Sequence, residues 1–102
     1  MNQVVQLTAA QPNLVRRYSP SGIVLVECDG SDGAFTVTMP DAKSARDVLF
    51  FVVKTDSGSN VIMVVFVDTQ TSVLLANQHD CRGLLSNGTQ YRLISSYLAI
   101  TG

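Results

Sequence analysis

Hydrophobic and polar positions along this chain follow two rhythms, strict alternation and short unbroken apolar runs. Both belong to β-strands. Residues 34–39 alternate with period two, placing Phe35, Val37 and Met39 on one side and Thr36 and Thr38 on the other. Residues 22–28 and 48–54 are nearly continuous apolar runs, the pattern of buried strands. Residues 60–67 are apolar on both faces, so that strand is either central in a sheet or lies at a subunit contact. Shorter strands are predicted over 73–75, 81–85, 90–95 and 97–100, and Val4, Val5 and Leu7 can form one more.

Turn chemistry separates these runs. Asp29-Gly-Ser-Asp-Gly33 and Thr55-Asp-Ser-Gly-Ser-Asn60 carry the Asp and Gly residues that turns favour. Asn87-Gly88 predicts a hairpin with a type I′ turn, which needs positive φ at both central positions. Pro40 stops the alternating strand, and Asp41 is placed to cap one helical turn over 42–46. The predicted fold is all-β: a small antiparallel β-sandwich or barrel-like domain of about eight strands, residues 21–102, with one short helical turn. Residues 1–20 precede it as an arm interrupted by Pro12 and Pro20.

Composition supports the same class. The 14 Val, 4 Ile and 8 Thr make about a quarter of the 102 residues β-branched, which suits a pleated surface. Only 15% of residues are charged and the net charge is −1. That balance offers no polycationic face for nucleic acid. The apolar runs 48–53 and 61–67 are too short to span a bilayer. Residues 1–10 lack the basic start and apolar stretch of a secretory leader. Cys28 and Cys81 are far apart and form no CxxC pair, so they are expected as reduced thiols.

Catalytic patterns are thin. His79 and Cys81 would share one face of a strand, too far apart for a direct hydrogen bond and without an oxyanion loop. The Asp29–Asp32 loop lacks the spacing and the bidentate Glu of a calcium-binding EF-hand, and two isolated Cys with one His do not make a zinc site. No catalytic residue, cofactor or metal is expected. Asn87-Gly-Thr89 matches a glycosylation sequon, but it reads first as the hairpin turn.

The block Gly33-Ala-Phe-Thr-Val-Thr-Met-Pro-Asp-Ala42 is followed by Val52-Val-Lys-Thr-Asp56, Asn60-Val-Ile62 and Leu85-Ser-Asn-Gly-Thr-Gln-Tyr91. This series resembles a β-rich module of structural proteins of tailed bacteriophages, found in fibres, spikes and capsid-decorating proteins. There the strand ends "TVTLPDA", a later strand ends "KKTD", an "NTVTI" strand follows, and a "SDGTNWY" hairpin closes the unit. The likeness covers roughly residues 23–95. Met39 stands where Leu is usual and Tyr91 where Trp-Tyr is usual, while Gln78-His-Asp-Cys-Arg82 has no counterpart. The resemblance implies a non-enzymatic virion protein, assembled in the bacterial cytoplasm and commonly trimeric. A chain this short resembles a decoration (cement) or head-fibre-type protein more than a long fibre. The alternative is a tail fibre, spike or adaptor module binding a host glycan, with Tyr18, Tyr91 and Tyr97 as candidate stacking residues.

Two interaction surfaces follow from the residues. A domain this small cannot hide both faces of residues 61–67, so Val61, Met63, Val65, Phe66 and Val67, with Phe50 and Val52, are expected to line a subunit interface, which the resemblance implies is that of a homotrimer. The arm offers Val4, Val5, Leu7, Leu14 and Val15 as apolar anchors and the pair Arg16 and Arg17 for acidic groups. These seven are expected to dock on a partner, which the resemblance implies is the major capsid protein or another virion component. No nucleic-acid or membrane partner is expected.

Overall fold

A computed structural model describes residues 2–14, 22–67 and 69–97. The described chain is all-β. Its strands are β1 (Asn2–Thr8), β2 (Ile23–Asp29), β3 (Phe35–Thr38), β4 (Leu49–Lys54), β5 (Ile62–Phe66), β6 (Thr71–Leu75), β7 (Cys81–Ser86) and β8 (Tyr91–Tyr97). They form a five-stranded sheet in the order β1-β2-β4-β7-β8 and a three-stranded sheet in the order β3-β5-β6.

The sheets are mixed, which corrects the expected antiparallel arrangement. β1, β2 and β4 run parallel, as do β3 and β5, while β7, β8 and β6 are antiparallel to their neighbours. The reason lies in the chain path. From β2 to β5 the chain alternates between the two sheets, so each strand of one layer serves as the crossover that parallel neighbours in the other require.

One core joins the layers. Val5, Leu7, Val24, Val26, Cys28, Phe50, Val52 and Leu84 face inward from the large sheet. Val37, Ile62, Val64, Phe66 and Leu75 meet them from the small one, with Met39 and Leu14 from the connections. β5 is the central strand of its sheet, one of the two positions its sequence allowed.

The helical turn expected over 42–46 is replaced by successive turns. Asp41 does cap: its carboxylate accepts the Ser44 amide at 3.1 Å and the Ser44 hydroxyl at 2.8 Å. Propagation then fails, because Asp47 takes a left-handed φ of 67° and its amide turns to the Ser86 carbonyl. One turn cannot offset the cost of helix nucleation when the chain must turn back at once.

The Asn87-Gly88 hairpin forms between β7 and β8 with a different turn. The loop is four residues, closed by Asn87 N donating to Gln90 O at 3.1 Å. Gly88 has positive φ, at 90°, and Asn87 does not. The Asn87 side chain accepts both the Thr89 and Gln90 amides at 2.9 Å, so its carboxamide does the work expected of the backbone.

Candidate functional site

The most concentrated polar chemistry lies at the end of β4. Inward parity carries Phe50, Val52 and then Lys54, which is 0% exposed. Lys54 Nζ donates to Asp56 Oδ2 at 2.8 Å, to Asp56 O at 3.0 Å and to Gly58 O at 3.1 Å, so all three of its donors are used. Asp56 Oδ1 accepts the Gly30 amide at 2.7 Å, and Oδ2 accepts the Gly58 amide at 3.0 Å. Asn60 Nδ2 adds a bond to Gly30 O at 2.8 Å. Burial raises the Asp56 pKa, but the bonds from Lys54, Gly30 and Gly58 and the lysine charge outweigh it, holding the carboxyl below its ordinary value. This cluster ties the Asp29–Gly33 loop to the loop after β4. With every donor satisfied inside the chain, it is a structural clip.

His79 and Cys81, considered as a base and nucleophile on one strand face, do not share a strand, since β7 begins at Cys81. His79 sits in the turn before β7, exposed, with φ 73° and its amide bonded to Lys54 O. Asp80 is buried and its carboxylate accepts the Ala76 and Asn77 amides. Cys28 points into the core from β2, where burial pushes its thiol up to about 12. Cys81 follows on β7 with the opposite parity, its thiol raised by burial against the lowering charge of Arg82. Both cysteines are free, and β4 lies between their strands. In the Asp29–Gly33 loop, Asp29 Oδ1 accepts the Ser31 amide at 2.9 Å, an Asx turn. Among the described residues, no three His, Cys, Asp or Glu side chains gather as metal ligands.

Tyr91, considered for sugar stacking, is engaged within the chain. Its hydroxyl donates to Pro40 O at 2.8 Å, and its ring packs against Phe50 and Phe66 at centroid distances of 6.1 and 5.5 Å. Tyr18 and the Tyr97 side chain lie outside what is described.

The residues expected to dock divide sharply. Val5 and Leu7 are buried in the chain's own core, because β1 is an integral edge strand paired along its length with β2, and Leu14 is buried there from the connection that follows β1. These three are therefore not free to reach a partner, and residues 2–8, expected in the docking arm, belong to the sheet of the β domain. Val4, on the opposite parity, is 62% exposed. Val15, Arg16 and Arg17 lie outside the described residues.

The residues expected at a trimer interface also divide. Phe50, Val52 and Phe66 are buried in the core and are not available to another subunit. Met63 and Val67 are exposed and Val61 and Val65 half-buried, with Leu74 beside Met63 across the β5–β6 ladder. On β4 the outward residues are Leu49, Phe51 and Val53, one position off from those expected. Leu25 on β2 and Leu85 on β7 share that outer face. Sequence reasoning missed these because the parity of β4 turns on Lys54, whose burial is legible only through the Asp two residues later.

The molecule thus carries two apolar outer faces, one on each sheet. No family model matches the chain, and neither a curated protein nor a solved structure is detectably similar to it.

Proposed function

We propose that this chain is a non-enzymatic structural protein of a tailed-bacteriophage virion. It serves as a trimeric capsid decoration (cement) or head-fibre-type protein that docks on the major capsid protein, and it is assembled in the bacterial cytoplasm. The observation that carries this reading is the ordered series of motifs through which the chain resembles such modules. Each motif has a fold-specifying job here. Pro40-Asp41-Ala42 ends β3 and opens a capped turn. Lys54-Thr-Asp56 forms the buried clip. Asn87-Gly88 closes the last hairpin.

The apolar outer faces support the same reading, since a low-charge surface of this kind is suited to permanent contact with other subunits. The work of such a protein is mechanical: it adds contacts between capsomers that resist expansion of the shell.

Quantitative mass spectrometry of purified particles tests the reading. A structural decoration protein is present in many copies, in fixed proportion to the major capsid protein, and survives washing in high salt. Absence from the particle, or a few copies confined to the tail tip with measurable glycan affinity, contradicts it.

A further inference from the structure

Parallel strands are characteristically covered on both faces, and their nearly continuous apolar sequences reflect that double burial. β1, β2 and β4 are parallel, yet only one face of their sheet packs on the three-stranded sheet. Among the described residues no strand covers the other, where Val4 and Ile23 are exposed and Leu25, Leu49, Phe51, Val53 and Leu85 half-buried. Across that outer face, Val4, Leu25 and Phe51 stand side by side in the ladder, as do Ile23, Leu49 and Leu85, and Val53 continues the apolar surface. We propose that this outer face of the five-stranded sheet is the surface through which copies of this chain associate. The proposal rests on the reading above only for the number of copies.

Two features favour a second copy as the occupant. The first is area. Five strands at about 4.8 Å spacing and six residues at about 3.3 Å make a whole face, polar rim included, on the order of 500 Å² before side-chain relief is counted. That approaches the roughly 600–1,000 Å² per partner of a stable protein–protein contact, in which an apolar centre is ringed by polar residues. Here the apolar centre on β1, β2, β4 and β7 is bordered by Gln6, Glu27 and Arg92.

The second is charge. Arg92 pairs with Leu85 at the β8 edge, in the row of Leu49 and Ile23. Glu27 and Asp29 lie at the far end of β2, beside the β1 edge. Cation and carboxylates therefore occupy diagonally opposite corners with apolar residues between, so one copy can offer its acidic corner to the basic corner of the next. The β5–β6 face lacks this arrangement, because Thr36 and Thr38 on β3 and Ser72 on β6 interrupt its smaller apolar surface.

Sedimentation velocity of the isolated protein tests the proposal with Phe51→Arg, Leu25→Lys and, on the opposite face, Met63→Arg. The wild type and Met63→Arg are expected to sediment as the same oligomer. Phe51→Arg and Leu25→Lys are expected to fall to the 11.0 kDa mass of one chain with unchanged strand circular dichroism. Hydroxyl-radical footprinting of the unmodified oligomer reads the same face without relying on a variant folding: Phe51 and Leu25 protected, Met63 labelled. A monomeric wild type at micromolar concentration overturns the proposal, as does dissociation by Met63→Arg alone or full labelling of Phe51 in an oligomer. A monomer that uses this face only for a different protein also overturns it. A monomer in solution that still joins particles in many copies overturns this proposal and leaves the virion role standing, whereas an oligomer absent from particles overturns the virion role alone.

Discussion

Lys54 Nζ lies 2.8 Å from Asp56 Oδ2, with the lysine wholly enclosed and the aspartate side chain only 7% exposed. This pair decides which way β4 faces. With Lys54 held inward, Phe50 and Val52 enter the core and Leu49, Phe51 and Val53 face out. The carboxylate also reaches the Gly30 amide, so one side chain joins the loops after β2 and β4.

Asp56→Ala leaves a buried lysine without its counter-ion and the Gly30 and Gly58 amides without their acceptor. Breaking such a pair costs about 3 kcal/mol, the lower end of the usual range because Asp56 keeps some solvent contact. Urea denaturation of Asp56→Ala against wild type measures this; a change below 1 kcal/mol means that the clip does not hold the loops.

The same pair sets an acid limb. Asp56 has a folded pKa below its unfolded value, so it contributes stability fully above the ordinary carboxylate pKa of about 4. That contribution falls as pH drops from about 4 through the lower folded value. Melting temperatures followed from pH 6 to pH 2 are expected to decline there, and Asp56→Asn is expected to flatten that limb from a lower starting stability.

Leu7 and Val4 make a matched test of β1. Leu7→Ala removes a fully buried side chain and is expected to cost about 2–5 kcal/mol. Val4→Ala, outside the core, is expected to change stability by less than about 0.5 kcal/mol when both substitutions are made in the monomeric Phe51→Arg background, where no subunit contact contributes. Equal, small effects in chemical denaturation contradict the placement of β1 in the sheet.

Gly88→Val is strained twice. Its φ of 90° resists a β-branched residue, and an added Cβ would come within 3.1 Å of Arg46 Cδ. The arginine side chain can shift, so the backbone is the larger cost, about 1–3 kcal/mol. Thermal unfolding checks it, and an unchanged melting temperature contradicts the turn.

Much of this fold was legible in the sequence, and the misreadings have physical causes. The alternation in 34–39 placed Val37 and Met39 inside and Thr36 and Thr38 outside as observed, and Asn87-Gly88 located the last hairpin. The parallel pairing was not legible, because loops of hairpin length here carry the chain between layers. On β4, a lysine sharing the parity of Phe50 and Val52 ordinarily marks the solvent side, and only the ion pair reverses that. Residues 2–8 looked detachable because Pro12 follows them, yet their Val5 and Leu7 fill the core. The outer faces were visible as surplus apolar sequence, but assigning residues to them needed strand parity that composition does not supply.

A cryo-EM map of the intact particle encoded alongside this chain tests the central claim most directly. The account predicts threefold clusters of this β domain on the particle surface, with the outer face of the five-stranded sheet, at Leu25 and Phe51, turned toward the neighbouring copies. A particle whose head surface lacks this domain, or one that carries it as isolated single copies with that sheet open to solvent, contradicts it.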